Sequence, residues 1–130
     1  MPYITVIHTS EYAPSWKPGT FGNELYEFCC RLPVNIVKFD LDEQITTADT
    51  QISFIEHGQF DINPAGVHFR VEFTEKLALD RREEFRDLLA KRIARGLGNL
   101  ITAPPIIILE INWGDWCGAL IYNGLVVRTW

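Results

Sequence analysis

Val67-His68-Phe69-Arg70-Val71-Glu72-Phe73 alternates apolar and polar residues without interruption. Successive side chains of a strand point to opposite faces, so this stretch reads as a half-buried strand. Val67, Phe69, Val71 and Phe73 share one face, and His68, Arg70 and Glu72 the other. The period then changes. From Leu79 to Leu97 the residues Phe85, Leu88, Leu89, Ile93 and Leu97 form a helical stripe, with Asp80 in the first turn, Arg92 and Arg95 near the far end, and Gly96 and Gly98 closing it. Pro104-Pro105 leads into Ile106-Ile107-Ile108-Leu109-Glu110-Ile111, a β-branched run of the kind found in strands covered on both sides. The second half is therefore strand, helix, strand.

The first half repeats that order. Tyr3–Thr9 reads as a strand, and Ser10 to Gly22, with Pro14, Pro18 and two glycines, as a loop. Asn23–Leu32 carries Leu25, Phe28, Cys29 and Leu32 at helical spacing, a short amphipathic helix stopped by Pro33. Residues 34–49 read as a connection with room for a strand of its own. Thr50–His57 alternates around Ile52 and Phe54 and ends at Gly58, and a loop follows through Asn63-Pro64-Ala65-Gly66. After a Gly- and Trp-rich turn, two short strands, Ala119–Tyr122 and Leu125–Thr129, flank Asn123-Gly124, a strong hairpin signal.

Together these elements predict an α/β fold in one domain over 1–130, a pseudo-repeat of about 1–58 and 66–130. Two strand-helix-strand units, their helices acting as crossovers, make one mainly four-stranded mixed sheet with both helices on one face, plus short C-terminal strands. The other sheet face then needs a cover, and a partner subunit supplies one. A chain of 130 residues buries roughly two thirds of its unfolded surface and needs no staples. Its three cysteines form neither a disulfide framework nor metal-ligand spacing, which fits a reducing, cytoplasmic setting. The net charge of −5 argues against a nucleic-acid partner, since phosphate binding needs a basic face. The basic residues from Arg81 to Arg95 alternate with Glu83, Glu84 and Asp87, as on a solvated helix face. The apolar runs are too short to cross a bilayer, and nothing ahead of Tyr3 reads as a targeting peptide.

The sequence starts Met1-Pro2 and passes directly into the first strand. Removal of Met1 leaves Pro2 as a free secondary amine. An α-amine titrates near pH ~8, and burial or a nearby cation lowers that, so such a group can serve as a base at neutral pH. This start, the two strand-helix-strand units, Leu79-Asp80-Arg81-Arg82 ahead of the second helix and Tyr122-Asn123-Gly124 near the end resemble the tautomerase superfamily. The length is similar to its long-subunit branch, typified by macrophage migration inhibitory factor and 5-carboxymethyl-2-hydroxymuconate isomerase. The resemblance implies a homotrimer in which an amino-terminal proline, here Pro2, moves a proton between carbon and oxygen of a small keto acid, without metal or organic cofactor. It also implies a pocket at a subunit junction.

Such chemistry needs a base, a donor or cation for the developing enolate, and a cation for a substrate carboxylate. Where the muconate isomerases carry an arginine at the start of the second strand this chain has Gln51. Where the family has Gly-Arg-Ser before the second helix it has Lys76-Leu77-Ala78. Lys76 and Arg70 are the nearest candidate cations, and a cross-strand salt bridge is the competing role for Arg70. Trp113, Trp116 and Tyr122 either wall an aromatic pocket or bury themselves in a subunit interface. Asn123 is a substrate-contact candidate whose competing role is turn chemistry. His68 reads as a hydrogen-bonded strand residue, and His8 and His57 have no nucleophile or metal constellation in the sequence around them. Two functions follow: a cofactor-independent tautomerase, or a non-catalytic oligomer of that fold that binds a partner. An unrelated α+β domain with the same layout is a third.

Overall fold

A computed structural model describes residues 2–38, 50–62, 64–73, 82–112 and 114–130. The strands are β1 (Pro2–His8), β2 (Gln51–Glu56), β3 (Val67–Phe73), β4 (Ile106–Asn112), β5 (Trp116–Tyr122) and β6 (Leu125–Thr129), and the helices are α1 (Phe21–Lys38) and α2 (Arg82–Ile93). The strands form a single mixed sheet in the order β2-β1-β3-β4-β5-β6. Six strands, not four, make this sheet, because β5 and β6 continue it beyond β4 instead of standing apart.

Parallel pairing joins β1 to β2 across α1, and β3 to β4 across α2; β1 and β3 run antiparallel between the two units. The chain thus contains two copies of one strand-helix-strand plan, placed head to tail at the centre of the sheet. Register puts Ile4 opposite Val71 and Val6 opposite Phe69, and continues that face through Leu109 and Ile111 to Ala119 and Cys117. These residues, apart from the partly buried Cys117, are sealed in one core with Leu25, Phe28, Cys29 and Leu32 of α1 and Phe85, Leu89, Ala90 and Ile93 of α2. Phe28 meets Phe69 edge to face at 6.0 Å, and Phe85 meets Phe73 at 5.8 Å. Both helices therefore cover the same face. Burial lifts the Cys29 thiol to about 12, so it is an inert core group.

Among the described residues the opposite face carries no helix. On β4 the burial alternates, with Ile107, Leu109 and Ile111 sealed but Ile106 exposed and Ile108 only half-buried. The expectation that this run is covered on both sides is corrected for the described residues of the single chain, in which α1 and α2 both lie on one side. Tyr3, Ile55 and Tyr122 are exposed on the same open face.

Helix α1 differs most from the sequence expectation. It starts at Phe21, where Thr20 caps it by accepting the Asn23 N–H at its hydroxyl (3.2 Å), and it runs through Pro33 to Lys38. Proline costs one backbone donor but does not end a helix whose Leu25, Phe28, Cys29 and Leu32 are already anchored in the core. Helix α2 ends in one wider turn, Ala94–Gly98, and its Leu88 points outward instead of joining the buried stripe. Leu79, Asp80 and Arg81, and residues 39–49, lie outside the described residues. β5 begins at Trp116, three residues ahead of expectation, while β3 and β6 have the expected bounds.

Candidate functional site

The strand directions bring one group of candidates to a common edge. Pro2 is the first residue of β1 and pairs with Phe73, the last of β3. The next ladder position joins Gln51, Tyr3, Glu72 and Asn112, and Asn112 faces Trp116. This end of the sheet thus collects Pro2, Gln51, Phe73, Asn112 and Trp116. Asn112 Oδ1 accepts the Gly114 N–H at 2.8 Å, which sets the turn into β5. Lys76 and Trp113, which adjoin this end in the sequence, lie outside the described residues, as do Leu77 and Ala78.

Tyr122 and Asn123 are at the other end. Ile106 pairs with Tyr122 while Asn112 pairs with Trp116, so six residues of strand, about 20 Å, separate them from the Pro2 edge. Within one chain they do not meet Pro2. Asn123 does the turn chemistry that was its competing role. It and Gly124 have φ of 49° and 80°, the two positive values of a two-residue hairpin, and Asn123 N–H donates to the Pro105 carbonyl at 2.9 Å.

Arg70 sits three ladder positions from Pro2 on the open face, opposite Thr5 on one side and Glu110 on the other. Its Nη2 lies 3.8 Å from Glu110 Oε2, and its guanidinium stacks 5.3 Å from the centre of the Trp116 ring. The other carboxylate oxygen of Glu110 is 3.2 Å from His68 Nε2, a contact that is an ion pair only when His68 is protonated and is not aligned as a hydrogen bond. A half-buried strip, His68–Glu110–Arg70–Trp116, therefore crosses the centre of the open face. Burial lowers the His68 pKa, Glu110 opposing and Arg70 and His57 adding to the effect. Arg70 thus faces Glu110 across the strands at ion-pair distance, while its Nε is buried without a hydrogen-bond partner.

Two features escaped the sequence reading. An apolar groove of about 320 Å³ is lined by Pro14, Trp16, Tyr26 and Phe54, with the Trp16 and Tyr26 rings 4.6 Å apart. His57 also has a partner, Asp61, whose Oδ2 lies 3.0 Å from Nδ1. The spacing His57-Gly58-x-x-Asp61 was its only signal in the sequence. Among the described residues no group of three or more His, Cys, Asp or Glu side chains is placed to hold a metal ion, and no helix is long and apolar enough to cross a membrane.

Comparison with protein-family models, curated proteins and solved structures finds no match to this chain. The functional argument rests on its own geometry.

Proposed function

We propose that this chain is a cofactor-independent keto–enol tautomerase of a small keto acid, with Pro2 as the general base after removal of Met1. The observation that carries this reading is the position of Pro2. It is the first residue of an inner strand, flanked by the start of β2 and the end of β3, at an edge where two further strands, β4 and β5, contribute residues. A secondary amine there takes the proton α to a carbonyl and returns it to the other terminus of the enolate. Asn112 and Gln51 at the same edge offer amide donors for the developing oxyanion.

The homotrimer belongs to the same proposal. The open sheet face, with Ile7, Ile108 and Leu120 around the charged strip, is the surface that copies of the chain cover. A pocket at the junction would let Tyr122 and Asn123 of a neighbouring copy approach Pro2, which they cannot do within one chain.

A second reading, a non-catalytic oligomer that binds a partner, is favoured by Arg70, which is engaged with Glu110 and Trp116, and by Gln51 in place of an arginine. Intact mass together with ketonisation of an enolised aryl pyruvate separates the two. Protein lacking Met1 that turns over, and a Pro2→Ala variant of unchanged oligomeric mass that does not, supports the tautomerase. Equal turnover by Pro2→Ala, or none by protein with a free Pro2, rejects it.

A further inference from the structure

Trp16 is 79% exposed, yet the loop that carries it is fastened on both sides of it. The Ser15 carbonyl accepts from Asn23 Nδ2 at 3.1 Å, the Ser15 hydroxyl accepts the Lys17 N–H at 3.0 Å, and the Lys17 carbonyl accepts the Thr20 hydroxyl at 2.7 Å. Thr20 in turn caps α1 through the Asn23 N–H. Gly22 lets the loop lie against the start of α1, because a Cβ there would collide with the Ala13 carbonyl. An indole left in water adds little burial to the fold, so a loop that fixes its position presents it to something else.

The neighbours of Trp16 complete a site. Its ring centre lies 4.6 Å from that of Tyr26 on α1, with the two planes at 62°, and Phe54 of β2 and Pro14 line the same cavity of about 320 Å³. That volume suits a small molecule. Aromatic faces carry the negative end of the ring quadrupole, so three rings around one cavity attract a cation. Among the described residues no charged side chain lines the cavity, and Glu27 stands exposed beside Tyr26 on α1. The Tyr26 hydroxyl, hydrogen-bonded to the Cys30 thiol and near the Glu27 carboxylate, is held above the usual phenol range. The local charge is therefore negative, and the phenol oxygen is already engaged.

The wall also selects the kind of cation. A bare ammonium or guanidinium needs acceptors for its N–H groups, and the polar residue on this wall, Ser15, has both its carbonyl and its hydroxyl occupied. A methylated ammonium has its charge spread over methyl groups and can leave water for an aromatic wall without unpaired donors. We propose that this cavity binds a small quaternary ammonium compound of the choline type, its methyl groups against Trp16, Tyr26 and Phe54. The site lies apart from the Pro2 edge and does not rest on the tautomerase reading.

Titration of the folded chain with choline, and with dimethylbutanol, its neutral isostere with carbon in place of the charged nitrogen, tests this at the Tyr26 ring protons by NMR. Choline is expected to give a saturable shift and to bind about tenfold more tightly than the isostere, the scale of a partly desolvated cation–aromatic contact. Trp16→Leu keeps an apolar wall without the ring and, at so exposed a position, leaves the fold intact; it should remove most of the preference for choline. Pro2→Ala leaves both titrations unchanged. Equal binding of the two probes would make the cavity an apolar groove blind to charge. That result, no saturable shift with choline, or a preference that survives Trp16→Leu overturns the proposal.

Discussion

Arg70 and Glu110 stand directly opposite one another on β3 and β4, Nη2 to Oε2 at 3.8 Å, and Trp116 lies against the same guanidinium. The pair is partly exposed, so its Coulombic gain is screened by water. A double-mutant cycle with Arg70→Ala and Glu110→Ala is expected to give a coupling of about 0.5 kcal/mol. Urea unfolding of the four proteins measures it, and a coupling near zero would show that the stack on Trp116, not the ion pair, holds the arginine.

His68 makes stability depend on pH. Burial lowers its folded pKa below the ordinary 6.5, so as pH falls past that value the unfolded chain takes up the proton more readily than the folded one. Its contribution is present above pH 6.5 and is lost as pH falls through that value toward the lowered folded pKa. Glu110, Arg70 and His57 are the ionisable groups that act on it. His68→Gln should lose less stability than the parent on going from about pH 7.5 to about pH 5.5, by denaturant unfolding at each pH. Parallel losses would show that His68 ionises as freely folded as unfolded.

The hairpin depends on left-handed backbone at Asn123 and Gly124. Asn123→Ala should cost about 1 kcal/mol, while Asn123→Gly should cost little. Gly124→Ala should cost more than either, because its Cβ would also collide with Asn99 Oδ1 and the Gly98 carbonyl. Thermal unfolding ranks the three.

Pro33 lies inside α1 and cannot donate to the carbonyl one turn earlier. Pro33→Ala should therefore stabilise the chain by about 1–2 kcal/mol, part of the ~3 kcal/mol helix penalty being offset by the freer unfolded chain. A lower melting temperature in the variant would show that the packing of α1 requires the proline.

Leu120→Lys places a charge on the open face between Ile108 and the β6 edge. If copies of the chain cover that face, sedimentation of the variant should give the monomer mass with an unchanged circular dichroism spectrum. A parent that already sediments as a monomer dismisses the oligomer.

Much of the fold was legible because its signals are local. The alternation of Val67–Phe73 and the Asn123-Gly124 turn each specify backbone geometry within a few residues, and the structure has both where expected. Pro33 misled because a breaker is also a local signal, whereas the packing that carries α1 past it comes from the sheet. Gly118 misled in the same way. It reads as part of a turn but sits inside β5, where its main chain pairs with Trp130 and the Trp130 indole occupies the space a side chain would need. The candidate site was less legible. The residues gathered around Pro2 come from four other strands, and the separation of Tyr122 from that edge follows from strand direction, which no spacing encodes. His57 and Asp61 are close in sequence, but only the loop's hydrogen bonds turn that closeness into an oriented pair.

The order of elements, the buried face of β3, the hairpin and the placement of Pro2 at a strand start follow from periodicity and turn chemistry, which act over one element at a time. The six-stranded order, the facing of Arg70 and Glu110, and the opposite ends occupied by Pro2 and Tyr122 arise from register and strand direction. Those are set by how distant segments pack together, and a chain read one residue after another does not carry them.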